Sequence, residues 1–192
     1  MSVFMNLAVQ TVTRPRDAAA FLVSLQLSRE ALLTGFALVV VLNTLFFGLT
    51  QLVVPAGNIL VPAMQDPVMF GISLALTLVA LVLAITASGR AFDGDARIET
   101  VAVLVIWLQG LRAALQVIVL LLAPVSLFVS GLIVTASTII GLWIFVHFID
   151  VAHGLGSLMK ASVVLLIAVV GMLLALTMIF SLLGVSPSGV SA

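Results

Sequence analysis

Five long runs of apolar residues fill most of the chain, and none of them alternates regularly with polar residues. A membrane core of about 30 Å needs about 20 apolar residues in a helix, and each run is that long. Continuous runs indicate helices, because the strands of a closed barrel would alternate. We therefore predict an all-α polytopic membrane protein with five transmembrane helices, at Ala31–Val54, Val68–Ser88, Thr100–Ala123, Val125–Phe148 and Ala161–Leu183.

The basic residues outside these runs predict the orientation. Six of them lie before the first run, between the second and third, and between the fourth and fifth, and the alternate connections and the tail hold none. Cytoplasmic loops carry the excess of Lys and Arg, so the N-terminus is expected inside and the C-terminus outside. The six residues are Arg14, Arg16, Arg29, Arg90, Arg97 and Lys160.

This orientation divides the chain into a cytoplasmic segment (residues 1–30), a bundle (31–184) and a short extracytoplasmic tail (185–192). Within the first segment Ala18, Phe21, Leu22 and Leu25 recur at helical spacing after Pro15, which suits a first helical turn. They predict an amphipathic helix in the cytoplasmic interface, with packing on the protein's own loops as the alternative. Ser28 and Glu30 are expected to cap the first span.

Arg112 is the one basic residue inside a predicted span. A charge at the bilayer centre costs at least ~2.5 kcal/mol and usually faces a protein interior or a wet cavity. Gln109 and Gln116 share its helical face, and Asn43 and Thr44 are polar groups of the first span. Gln109, Arg112, Gln116 and Asn43 therefore form a candidate anion or lipid site, or a contact with a partner. The alternatives are a polar packing cluster and an arginine that snorkels to headgroups.

Two further polar groups lie at the predicted cytoplasmic face. His147, Asp150 and His153 are weak candidates for a metal site, because zinc needs matched ligand geometry, and wet interfacial groups are the plainer interpretation. Asp93-Gly94-Asp95 with Glu99 lacks the calcium-loop pattern and is interpreted as a tight turn with local ion pairs.

Composition and motifs argue against several functions. The chain is 64% hydrophobic and 7% charged with a net charge of zero, so it lacks the clustered positive surface that nucleic acid requires. It has no cysteine, which excludes thiolate chemistry. Nucleophile-elbow, P-loop and dinucleotide motifs are missing. We expect no enzymatic activity and no cofactor.

Short motifs along nearly the whole chain resemble the bacterial form of the Yip family of Ypt/Rab-interacting membrane proteins. They are Thr-Arg-Pro-Arg-Asp-Ala-Ala-Ala (residues 13–20), Leu27-Ser28-Arg29-Glu30, Gly89-Arg90-Ala91-Phe92-Asp93-Gly94, and the His147 to His153-Gly154 stretch. The Asp93-Gly94-Asp95-Ala96-Arg97 sequence departs from the uncharged stretch that is typical of bacterial relatives. The resemblance implies a multi-pass protein of the bacterial inner membrane, without known catalysis.

The first hypothesis is a non-enzymatic scaffold or accessory subunit that binds protein partners or organises lipid. Its expected partners are membrane lipids and a membrane protein or a second copy of itself. The alternative is a small transporter or channel that uses the Gln109/Arg112/Gln116 face. Five spans cannot divide into equal repeats, which disfavours a transporter made of one chain. A metal-dependent enzyme at His147, Asp150 and His153 is the third hypothesis.

Overall fold

The computed structural model describes residues 3–53 and 66–182, and this part of the chain forms seven helices. Five of them are long and apolar enough to cross a membrane, so the chain is an integral, multi-pass membrane protein, as predicted. The helices are α1 (Val3–Thr13), α2 (Pro15–Ser24), α3 (Arg29–Val53), α4 (Pro67–Arg90), α5 (Ile98–Leu122), α6 (Leu127–His153) and α7 (Leu158–Leu182). Most of the predicted first loop and the C-terminal tail lie outside the described residues.

The helix ends follow local capping chemistry. Ser28 accepts a hydrogen bond from the Ala31 N–H at 3.2 Å, which confirms the predicted cap of α3. The helix of the fourth span, α6, continues five residues beyond the predicted end at Phe148, to His153. Gly154 follows at φ 64°, the left-handed conformation that terminates helices, and the N–H groups of Gly154 and Leu155 both return to the Asp150 carbonyl.

The spans pack unevenly along their length. We call the half of the bundle that holds the start of α5 and the end of α6 the inner half, and the other the outer half. The main core lies in the inner half. Along the bundle, α4 packs on α7 and α3 packs on α5. Its fully buried members include Ile85, Leu104, Phe148 and Val164.

The outer half is more open. The first half of α6 is exposed at most positions, and Gly131 and Gly141 have no neighbouring side chain within 4 Å of where a Cβ would lie. Small residues on a membrane helix allow another backbone to approach closely. The chain therefore presents a helix surface here that its own described residues leave largely uncovered.

An N-terminal hairpin of α1 and α2 packs on α6, and α2 also packs on α5. The predicted amphipathic helix is present as α2, with Pro15 at its first position. Ala18 and Leu22 are buried, so this part of the apolar face packs on the protein itself, which was the alternative interpretation. Phe21 and Leu25 are exposed, so these two side chains remain free to contact lipid, and an interfacial position stays a prediction.

Candidate functional site

The mid-membrane polar face is carried by α5, which packs along α3. Arg112 lies about 21 Å from the first residue of α5 and about 15 Å from the last, at 1.5 Å per residue. A Cβ on Gly35 of α3 would lie 3.3 Å from Ile106, and further along Gln116 Nε2 donates to Thr50 Oγ1 at 3.1 Å. Asn43 is midway between Gly35 and Thr50, so it is level with Arg112.

No hydrogen bond joins the four predicted residues to one another within the described part of the chain. Gln116 bonds across to α3, whereas Asn43 Nδ2 donates to the Val39 carbonyl of its own helix at 2.7 Å. Gln109 is half-buried, and its Oε1 has no hydrogen-bond donor among the described residues. Thr44 Oγ1, the other polar group expected nearby, is also buried without a partner in that part of the chain. Arg112 forms no hydrogen bond or ion pair with any described residue.

Arg112 is exposed in the single chain, so it does not pack inside the described helices, and the anion or lipid site, the partner contact and the snorkelling arginine all stay predictions. This exposure contrasts with the burial of the neighbouring positions on the same stripe of α5. Val105, Arg112, Gln116 and Val119 follow one another at seven, four and three residues, so they form one stripe along α5. Val105 and Val119 are only 4% and 8% exposed. Arg112 therefore lies on the inward stripe, at a level where the described helices do not cover it.

The second predicted group, at the end of α6, is buried and not wet. Asp150 is 5% exposed and accepts hydrogen bonds from Arg16 at 2.7 Å and from the Ser157 N–H at 3.0 Å. His147 Nδ1–H donates to the Trp143 carbonyl at 2.8 Å, since a carbonyl can only accept. Asp150 is therefore paired inside the protein and is not a wet interfacial group, whereas His147 is bonded through Nδ1 alone.

His153, the third residue of this group, packs on the end of α4 and the turn that follows it. Its Nδ1 is 3.3 Å from the Ile149 carbonyl, and its buried Nε2 has no partner among the described residues. The ring packs directly on Gly89, where any Cβ would collide with it, and a Cβ on Gly94 would lie 2.7 Å from it. The two glycines of the Gly89–Gly94 motif thus form the walls of a histidine pocket. No group of three His, Cys, Asp or Glu residues arranged to hold a metal occurs in residues 3–53 and 66–182.

The acidic turn after α4 is confirmed as a tight turn. Asp93 adopts φ 62°, and the N–H groups of Phe92 and Gly94 both donate to the Gly89 carbonyl at 3.0 Å. The ion pairs expected within this turn do not form among the described residues. Within the described part of the chain neither Asp93 nor Asp95 is paired, and Glu99 instead approaches Arg29 of α3 at 3.5 Å.

The sequence prediction missed α1 and its contact with Trp107. Trp107 Nε1 donates to Thr11 Oγ1 at 2.9 Å, and its ring meets Phe4 edge-on with centroids 5.3 Å apart. Trp107 lies about 13 Å along α5 from its first residue. Because α1 contains no charged residue, it can pack beside the apolar α5 at that level, with Leu7 and Thr11 buried and most of its other residues exposed. The signal that could have found it is the spacing of Leu7 and Thr11, both buried, along one helical face.

No family model matches the chain, and no curated protein or solved structure matches it. The resemblance to the Yip family therefore stays a prediction that rests on the quoted motifs.

Proposed function

We propose that this protein is a non-enzymatic scaffold or accessory subunit of the Yip type, in the bacterial inner membrane, that binds a transmembrane helix of a protein partner. The observation that carries the proposal is Arg112, an exposed cation on the inward stripe of α5 without a partner in the described residues. An arginine at this depth costs about 2.5–3.5 kcal/mol unless it is paired or wet. A carboxylate or free carbonyl on a partner helix would remove that cost.

The exposed face of α6 supports the same proposal. Gly131, Thr135 and Thr138 recur at four and three residues, so they form one small-residue face. Both threonine hydroxyls donate back to their own helix, at 2.9 Å to Gly131 and 2.8 Å to Val134. Their own-helix bonds leave the face without free donors, so a partner backbone can approach it at low desolvation cost.

Affinity purification in a mild detergent tests the proposal. The tagged wild-type chain should recover a partner, or a second copy of itself, in stoichiometric amount, and Arg112→Leu should lose it. Lys160→Leu is the matched control, because Lys160 is an exposed cation at the other end of the bundle near the start of α7. A wild-type monomer without a partner, or equal recovery by Arg112→Leu, would contradict the proposal.

A small transporter or channel is the second candidate, and one observation favours it. An exposed Arg112 on an inward stripe, with the unpaired Gln109 carbonyl one turn away, is also what a polar pathway between helices would contain. The chain has no cysteine, so a single cysteine introduced by Leu115→Cys, beside Arg112 on α5, can be labelled alone while the arginine is kept.

A solute pathway and a partner contact predict different thiol reactivity for this cysteine. A pathway predicts that it reacts fast with a water-soluble, membrane-impermeant thiol reagent, and that proteoliposomes show a solute flux that Arg112→Leu changes. A partner contact predicts that the introduced cysteine is protected in native membranes and that no such flux occurs.

A further inference from the structure

A cleft in the inner half of the bundle has the size of a ligand site. It lies between the linker that joins α2 to α3 (residues 25–28) and the first turns of α5, and its volume is about 590 Å³. Small-molecule sites span about 300–1,000 Å³. We call it the linker cleft. Val103, its lining residue deepest in α5, is about 14 Å along the helix from Arg112, so the inference drawn from the cleft is independent of the proposed partner contact.

The linker cleft is lined by one more positively charged than negatively charged side chain. Arg29, Arg97 and Glu99 line it. Glu99 approaches Arg29 at 3.5 Å, whereas the Arg97 guanidinium is exposed and forms no hydrogen bond or ion pair with any described residue. Arg97 is also the residue before the first turn of α5, and its own side chain does not cap that turn. Two guanidinium groups against one carboxylate give the rim a net charge of +1, which matches an anion with a single negative charge.

The opposite part of the cleft is apolar. Leu22, Leu27, Leu32 and Val103 line it, and the last two lie one or more turns inside α3 and α5. The charged rim is therefore at the helix ends, and the apolar wall extends toward the membrane core. A small soluble anion would gain nothing from this wall, whereas a phospholipid has acyl chains directly below its phosphate.

We propose that the linker cleft binds the headgroup end of a monoanionic glycerophospholipid. The Arg97 guanidinium holds the phosphodiester oxygens, a charge-assisted contact of the kind arginine favours. Glu99 keeps Arg29 in place at the rim. Leu32 and Val103 contact the glycerol end and the first methylenes of an acyl chain.

Native mass spectrometry of the full chain in detergent tests this site, with phosphatidylglycerol, phosphatidylcholine and glycerol 3-phosphate as probes. One phosphatidylglycerol per chain should be retained in preference to phosphatidylcholine. Arg97→Gln should weaken its binding about tenfold, the loss expected for one hydrogen bond to a charged group. Arg90→Gln is the control, since Arg90 is an exposed cation at the same end of the bundle and does not line the cleft.

Two further measurements distinguish binding of the whole lipid from binding of its headgroup alone. Glycerol 3-phosphate should not displace phosphatidylglycerol, and Leu27→Gln should weaken the lipid by removing apolar wall. Equal binding by Arg97→Gln and Arg90→Gln, no preference over phosphatidylcholine, or displacement by glycerol 3-phosphate at the same concentration would overturn the proposal. None of these outcomes bears on partner binding at Arg112, so the two proposals fail separately.

Discussion

Arg16 and Asp150 form an ion pair of 2.7 Å that fastens the N-terminal hairpin to the last turn of α6. The two residues differ in environment, because Arg16 is 54% exposed and Asp150 is 5% exposed. The carboxylate also accepts the Ser157 N–H, so it orders the turn between α6 and α7. One buried acid thus connects the hairpin, α6 and the start of α7.

Arg16→Gln should destabilise the protein and loosen the hairpin. The substitution leaves a buried carboxylate with only one donor, and half-exposure of Arg16 limits the expected loss to about 1–2 kcal/mol. Thermal unfolding in detergent and limited proteolysis of residues 3–24 measure the effect. Arg14→Gln is the control, because Arg14 is exposed. If both variants unfold and are cleaved like the wild type, the pair does not hold the hairpin.

Gly89→Ala should be destabilising by about 1–3 kcal/mol, the usual cost of overpacking. The added Cβ would collide with the His153 ring. Gly110→Ala is the matched control, because Gly110 is also a glycine within a spanning helix and has open space around its Cβ position. Differential scanning fluorimetry compares the two. The His153→Ala change in the Gly89→Ala background should cost less than it does alone, and strict additivity would show that the ring and the glycine are not in contact.

Thr11→Val should weaken the docking of α1. Thr11 and Thr13 each donate to a carbonyl four residues earlier, at 2.8 and 2.9 Å, but Thr11 also accepts the Trp107 N–H. Thr11→Val is therefore expected to cost about 1 kcal/mol more than Thr13→Val, the net value of one hydrogen bond. The difference in melting temperature between the two variants measures it. Identical melting temperatures would exclude a stabilising role for the Trp107 bond.

Single cysteines test the predicted orientation, since the chain has none of its own. Ala91 follows α4 and Val125 precedes α6, and both are exposed. A membrane-impermeant maleimide applied to spheroplasts should label Val125→Cys directly and Ala91→Cys only after permeabilisation. The reverse pattern would show that the N-terminus lies outside.

Apolar length and capping chemistry made the spans predictable. The cap at Ser28 and the five long runs depend on residues close together in the chain, so local rules suffice for them. The burial of His153 between Gly89 and Gly94 depends on the packing of α6 against the end of α4, which no local pattern encodes. The same holds for the docking of α1 on Trp107.

For Arg112, the position along the helix could be predicted from the sequence, but the exposure of the side chain could not. Its sequence position placed it correctly near the middle of a spanning helix, and its spacing placed it on a face with Gln116. Whether that face is covered depends on how far apart the helices of the outer half lie, and this distance follows from tertiary packing. The chain's own described residues leave Arg112 exposed, and the partner proposal follows from that result.

Photo-crosslinking in native membranes tests the proposed partner contact most directly. A photoreactive residue in place of Leu115, which is half-buried beside Arg112 on α5, reports on whatever lies against this face. The same residue in place of Leu166, exposed on α7, is the control. We predict a discrete intermolecular adduct from position 115 that disappears in the Arg112→Leu background, and none from position 166. Lipid adducts alone at position 115, with or without Arg112, would contradict it.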